Sequence, residues 1–150
     1  MKPVHRRSQH QQRGTVLIEM AVVLPLLTLL LIGIVNMGFL IREHQVLQNA
    51  AREGARYSSL QGNRIATAGD ATEQAIKTRV QRYLAQERIT IALSDVTIDQ
   101  NYTYAADAST TVTASKVTVS YSRSMLMAAG WLWPLGPQTL TGKAVFRNLY

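Results

Sequence analysis

Residues 16–41 form one apolar block, VLIEMAVVLPLLTLLLIGIVNMGFLI, in which Glu19 is the only charged residue. As an α-helix this block would be about 39 Å long, which spans a hydrocarbon core of about 30 Å with length to spare for tilt. A helix of a soluble domain keeps a polar face, whereas this block is apolar on every side. The sequence therefore predicts a transmembrane helix over residues 15–41, in contact with the lipid bilayer.

More than half of the net positive charge of the chain lies ahead of this block. Of the 16 Lys and Arg residues, four precede residue 15, where there is no acid, so the rest of the chain has 12 bases and 9 acids. Uncompensated bases before a membrane span favour a cytoplasmic N-terminus. We therefore expect a single-pass protein of the inner (cytoplasmic) membrane, with residues 42–150 outside. Because the folded part carries little excess charge, we expect no nucleic-acid partner.

Glu19 is an unusual residue for the start of such a helix. A charge inside a bilayer is costly, so an intramembrane carboxylate is a functional candidate by default. The alternative is that Glu19 lies at the membrane interface, where the positive end of the helix dipole stabilises it.

The residues around Glu19 favour the functional interpretation. The run Gly14-Thr15-Val16-Leu17-Ile18-Glu19, between a basic head and a long apolar stretch, resembles the prepilin cleavage motif of type IV pilins and pseudopilins. That resemblance implies that a prepilin peptidase removes residues 1–14 by cutting between Gly14 and Thr15. It also implies an N-methylated new terminus and a glutamate as fifth mature residue, which Glu19 would be. Glu19 of a neighbouring subunit could then pair with the new α-amine and fix the axial register of the two helices.

A narrower resemblance extends from Gly14 to Leu60. This stretch is similar to the TadE-like family, minor pilins of the tight-adherence (Tad/Flp) pilus, and three segments carry the similarity: residues 14–19, 23–27 (VLPLL) and 49–57 (NAAREGARY). The resemblance implies a role in pilus assembly that supports adhesion, biofilm formation or secretion. It implies as partners a prepilin peptidase, other pilin and minor pilin subunits, and the inner-membrane pilus assembly platform.

Two other functions are compatible with the sequence. The chain could be an uncleaved, membrane-anchored extracytoplasmic binding module in which Glu19 is merely interfacial. It could also be a substrate-like component of a secretion pseudopilus. An intact Met1 terminus would indicate the anchored module, and loss of residues 1–14 would indicate a pilin.

The apolar helix and its continuation contain further candidate residues. Pro25 cannot donate a hydrogen bond within the helix, so it is either a tolerated membrane proline or a flexible point used when the helix enters a fibre. A helical stalk is predicted over residues 42–61, ending at Gly62 or Asn63. Its small residues recur every four positions in two neighbouring rows: Ala50, Gly54 and Ser58, and Ala51, Ala55 and Ser59. This smooth face is expected either to pack on its own domain or to contact another subunit.

Residues 62–150 are predicted to form an α+β domain with a second helix and a small antiparallel sheet. After a loop at 61–69, Asp70 and Glu73 resemble a capping box, and an apolar stripe from Ile76 to Leu84 continues the helix to about Glu87. Alternation of apolar and polar residues predicts strands at 96–104, at 116–121 and from 140 to about 148, with a further short strand at 89–93.

The chain offers little for catalysis. It has no cysteine and three histidines, two of which lie in the head. Asp95, Thr97, Asp99 and Asn101 mimic the start of a calcium loop, but the loop would also need Gly at position 100 and Glu at 106. We therefore expect no enzymatic activity, no metal and no cofactor. The apolar run at 125–135, with two tryptophans, is expected to be a core loop or a contact for another subunit or the membrane surface.

Overall fold

The structure is a computed structural model that describes residues 9–107, 111–123 and 137–149, with side chains from residue 15 onward. The chain divides into two compact units, Met1–Phe39 and Leu40–Tyr150. The elements follow in the order α1 (Gln9–Ser58), α2 (Ala71–Gln86), a 3-10 helix (Leu93–Asp95), β1 (Val96–Ala105), β2 (Thr111–Arg123) and β3 (Gln138–Arg147). The predicted α+β class is confirmed. The apolar run at 125–135 lies outside the described residues.

Helix α1 differs from the prediction at both ends. It already begins at Gln9, inside the segment assigned to the leader, and it ends at Ser58 rather than at Gly62 or Asn63. The early end has a local cause, because the Asn63 side-chain amide donates to the Tyr57 carbonyl oxygen over 2.7 Å. Gly62 adopts a positive φ of 94°, which a glycine accepts without strain and which turns the chain away from the helix axis.

Helix α2 has the N-terminus that its sequence predicts. Asp70 is the N-cap residue, and its carboxylate accepts from the Glu73 backbone N–H over 2.7 Å. The Glu73 carboxylate accepts from the Gly69 N–H and pairs with Lys77. These backbone hydrogen bonds hold the pKa of Asp70 below its ordinary value, and the Gly69 hydrogen bond, with Lys77, lowers the pKa of Glu73.

The three strands form one antiparallel sheet in the order β1-β2-β3. Val117 lies opposite Ile98 on one side and Ala144 on the other, so the three apolar positions line up across one face of the sheet. The pairing of β1 with β2 is interrupted by a bulge between Asp99 and Tyr102. The strand predictions are confirmed for β1, β2 and β3.

The core of the second unit lies between the helices and this face of the sheet. Its fully buried members come mainly from α1, α2 and β2 and include Leu47, Ala50, Ala51 and Ala55 of α1, Ile76, Val80 and Leu84 of α2, and Val117 and Val119 of β2. The small residues of α1 bring its backbone close to the sheet. At the closest point, a Cβ added to Gly142 would collide with the backbone carbonyl of Leu47.

The predicted strand at 89–93 is wrong. Ile89 and Ile91 are buried, as their alternation suggested, but the segment forms no strand and runs into the 3-10 helix at Leu93–Asp95. Its backbone finds partners in α2 instead. The Ile89 N–H donates to the Leu84 carbonyl, and the Gln81 side chain donates to the Ile91 carbonyl over 2.9 Å. Burial with a period of two therefore does not require pairing in a sheet.

Substitution of Gly142 by Ala tests the close approach of α1 to β3. The added methyl group meets backbone atoms of Leu47 and Gln48, which cannot rotate away, so the free energy of unfolding should fall by at least about 2 kcal/mol. The loss is measured by thermal unfolding of the full chain in detergent, with circular dichroism as the signal. Gly38→Ala is the matched control, because nothing lies within 4 Å of a Cβ at that position. Equal stability of the two variants would contradict the packing described.

The capping carboxylates predict a dependence of stability on pH. The pKa values of Asp70 and Glu73 are lowered in the folded state, so their stabilisation is complete above their unfolded values of about 4 and is lost as pH falls through the lowered values. Asn caps a helix as well as Asp does but does not titrate. The Asp70→Asn variant should therefore lose less stability than the wild type between pH 6 and pH 3, measured as urea midpoints. An unchanged or larger loss would contradict this assignment.

Candidate functional site

The first unit presents an apolar surface that nothing in the unit covers. Every side chain from Thr15 to Leu31 is exposed, and Leu17 and Ile18 reach 72% and 70% of full exposure. Among the described residues, α1 is the one helix long and apolar enough to cross a membrane, judged by length and composition. A surface of this kind is stable only in hydrocarbon or against other apolar helices.

The residues that resemble a prepilin cleavage motif follow one another along the start of this helix. Gly14 lies inside α1, and the next residue, Thr15, is exposed. Glu19 is exposed as well and comes four residues after Thr15, so the two lie on the same side of the helix, about one turn apart. A cut after Gly14 would thus place a new amine and a carboxylate on one face of one helix end.

Pro25 lies within α1 without ending it. Because proline has no N–H, it cannot donate to the Ala21 carbonyl, and one hydrogen bond of the helix is missing there. One turn later the Thr28 hydroxyl donates to the Leu24 carbonyl over 2.8 Å. The hydrogen-bonding capacity of the hydroxyl donor is thereby satisfied within the same helix, as is common for Ser and Thr in apolar helices.

The candidate packing residues Ala50, Gly54 and Ser58 lie in the second unit and are buried there. A Cβ added to Gly54 would lie 2.5 Å from Val80 Cγ2 and 3.3 Å from Val117 Cγ1, so this glycine sits between α2 and β2. The neighbouring row of Ala51, Ala55 and Ser59 is also buried. Both rows are therefore occupied within their own unit.

Gln100 is a structural residue that the sequence analysis missed. Its side-chain amide donates to the Ser58 hydroxyl and to the Asn63 carbonyl, over 2.9 and 2.7 Å, and its oxygen accepts from the Ile65 N–H over 2.8 Å. Ser115 donates in turn to the Ser58 hydroxyl over 2.6 Å. Gln100 occupies the bulge of β1, and an inward-facing glutamine in an alternating strand was the one signal that could have indicated it.

Beside Gln100 lies an open groove of about 710 Å³. Residues 64–68 and 98–101 line the groove together with Asn148. The side-chain oxygen of Asn148 is buried without a hydrogen-bond partner in the described part of the chain. The Gln100 amide at its base is already engaged by its own unit. Three charged residues, Arg64, Glu73 and Asp99, also line the groove. Of these, the Glu73 carboxylate is already engaged by the Gly69 N–H and Lys77.

The remaining chemical candidates are not brought together. His44 is exposed. The residues that mimic a calcium loop begin in the 3-10 helix at Asp95 and continue along strand β1, so the strand interpretation of Thr97, Asp99 and Asn101 is correct. Within the ranges that the structure describes, no group of three or more His, Asp or Glu residues could hold a metal ion.

Comparison with known proteins gives one match. The family model described as TadE-like protein matches residues 14–56, which is less than a third of the chain. This confirms the resemblance seen in the sequence and covers Gly14, Glu19 and the apolar helix, together with the first part of the small-residue face. No curated protein and no solved structure matches the chain.

Proposed function

The TadE-like segment at residues 14–56 associates the chain with the Tad pilus, and we propose that the protein is a minor pilin or pseudopilin of this Tad/Flp-type system. In this proposal a prepilin peptidase removes residues 1–14, and the mature helix packs with the helices of other pilin subunits. The protein takes part in fibre assembly at the inner-membrane platform and so supports adhesion, biofilm formation or secretion.

The observation that carries the proposal is the position of Glu19. It is the only charge in residues 16–41, and it lies on an exposed helix surface whose other side chains are almost all apolar. An unpaired carboxylate there would cost several kcal/mol in hydrocarbon. A cut before Thr15 would free an α-amine at the N-terminal end of the helix. The positively charged α-amine of a neighbouring subunit could then neutralise Glu19, which lies near the same end.

The pair of Glu19 and the neighbouring α-amine is expected to fix the axial position of the two helices rather than to add much stability. Removing two charges from water offsets most of their attraction, so such a pair adds little net stability. However, if one helix shifts along its axis relative to its neighbour, the carboxylate and the amine separate. Each charge is then left without its partner in an apolar environment, which is unfavourable. Glu19 would thus select one axial register among the many that a uniformly apolar surface permits.

The basic head supports the same arrangement. Four bases without an acid ahead of the span favour a cytoplasmic N-terminus, which would place the Gly14–Thr15 bond near the cytoplasmic surface of the inner membrane. Helix α1 starts at Gln9, so the leader and the mature segment are parts of one helix. Unwinding of this first stretch would be required before a peptidase could bind the bond in extended form.

Substitution of Glu19 by Ala tests the pairing. The variant should lose its leader normally, because the cleaved bond is unaltered, but assembly should fall at least about tenfold when sheared fibres are quantified against total protein. Glu19→Gln, which keeps shape and loses charge, should assemble poorly as well. The matched control is Glu53→Ala on the same helix, which removes an exposed pair with Arg79 worth at most about 1 kcal/mol.

Normal fibre levels in Glu19→Ala cells would contradict the pairing. A Gly14→Leu variant gives the reference for unprocessed protein, since a bulky residue there should block cleavage. If wild-type and Gly14→Leu proteins migrate identically in membranes from cells with an active prepilin peptidase, the chain is the alternative, an uncleaved membrane-anchored binding module.

A further inference from the structure

Asn36 points to a second interface on the apolar helix, and we propose that through it the protein associates with a second copy of itself in the membrane. Asn36 is the only side-chain amide in residues 16–41. Its Oδ1 atom is buried and has no hydrogen-bond partner in the described part of the chain. The other neutral polar side chain of the block, Thr28, is by contrast satisfied on its own helix.

An unsatisfied amide oxygen is costly in this setting. Water cannot reach the hydrocarbon core, so a polar group there must find its partners on protein. A rotation of the Asn36 side chain would turn the amide toward an adjacent helix that offers both a donor and an acceptor. Asparagine in apolar helices promotes helix association for this reason.

The residues around Asn36 form a face suited to such an approach. At about 100° per residue, Leu29 lies within about 20° of Asn36 around the helix, and Gly33 lies about 60° away. A Cβ added to Gly33 would have nothing within 4 Å, so the helix surface is open at that point. We call the surface formed by Leu29, Gly33 and Asn36 the Asn36 face.

A second copy is the partner that best fits this face. Copies inserted in one membrane share orientation and depth, so Asn36 of one copy lies at the level of Asn36 of the other. A carboxamide carries two donors and an acceptor and is therefore complementary to itself. Paired asparagines fix register and partner number in parallel coiled coils in the same way. Any other helix would need a polar side chain at the same depth.

The Asn36 face is separate from the pairing proposed for Glu19. Seventeen residues of α-helix place Glu19 about 25 Å from Asn36 along the axis and about 100° around it. The inference requires only that the helix lies in a membrane. Self-association through Asn36 is expected for a processed pilin and equally for an uncleaved anchor, because this contact does not require a cut after Gly14.

Cysteine cross-linking in native membranes tests the proposal, because the chain has no cysteine of its own. Leu29→Cys places a thiol on the Asn36 face, and Leu27→Cys is the matched control at nearly the same depth, about 180° from Asn36. After mild oxidation of membranes that contain the full chain, we expect a disulfide-linked dimer of Leu29→Cys, at least about threefold more abundant than that of Leu27→Cys. Adding Asn36→Leu to Leu29→Cys should lower the yield about threefold, and adding Asn36→Gln should retain it.

Three results would overturn the proposal. Equal yields from Leu27→Cys and Leu29→Cys would indicate random collision, and a yield insensitive to Asn36→Leu would show that the amide has no role. A Leu29→Cys product with the mass of a different partner would assign the face to another protein. Circular dichroism of the Asn36→Leu protein, unchanged from wild type, establishes that the second unit is still folded in these samples.

Discussion

The apolar surface of residues 16–41 is the constraint on which the rest depends. Each large side chain exposed there to water would cost of the order of 1.5–3 kcal/mol relative to burial, and its own unit covers none of the residues from 15 to 31. The chain must therefore place this helix in hydrocarbon or among other helices. Every polar side chain on the helix then needs a hydrogen-bond partner or a counter-charge. Thr28 donates to its own helix, whereas we propose that Glu19 and Asn36 find their partners on neighbouring subunits.

The second unit is held together by close approach of its backbones and by the larger apolar side chains of α2. Alanines and Gly54 on α1, with Gly142 on β3, let the helix and sheet backbones pack tightly, and α2 fills the remaining side with Ile76, Val80 and Leu84. At one end of this core the hydrogen bonds of Gln100 join the end of α1 to the following loop and the bulged strand. The small-residue rows are thus buried within the second unit.

The fold could be predicted from the sequence wherever a local pattern of residues determines the structure. The apolar block, the capping box at Asp70 and the alternation in β1–β3 depend on neighbouring residues and were predicted correctly. The errors arose where distant contacts decide. Ile89 and Ile91 alternate like a strand but bond to α2, and nothing local shows that Gly142 lies against Leu47 or that Gln100 fills a bulge. For the candidate site, the resemblance to a cleavage motif could be recognised because its residues are contiguous in sequence, and cleavage after Gly14 stays a prediction.

The central claim is that Gly14 marks a cut and that Glu19 then acts as the fifth residue of a shorter chain. Intact-mass measurement of the protein extracted from its native membranes tests this most directly. We expect a single species that begins at Thr15 and carries a modified α-amine. A species that retains Met1 and the whole basic head would contradict it, because the carboxylate in the apolar helix would then have no new amine to meet.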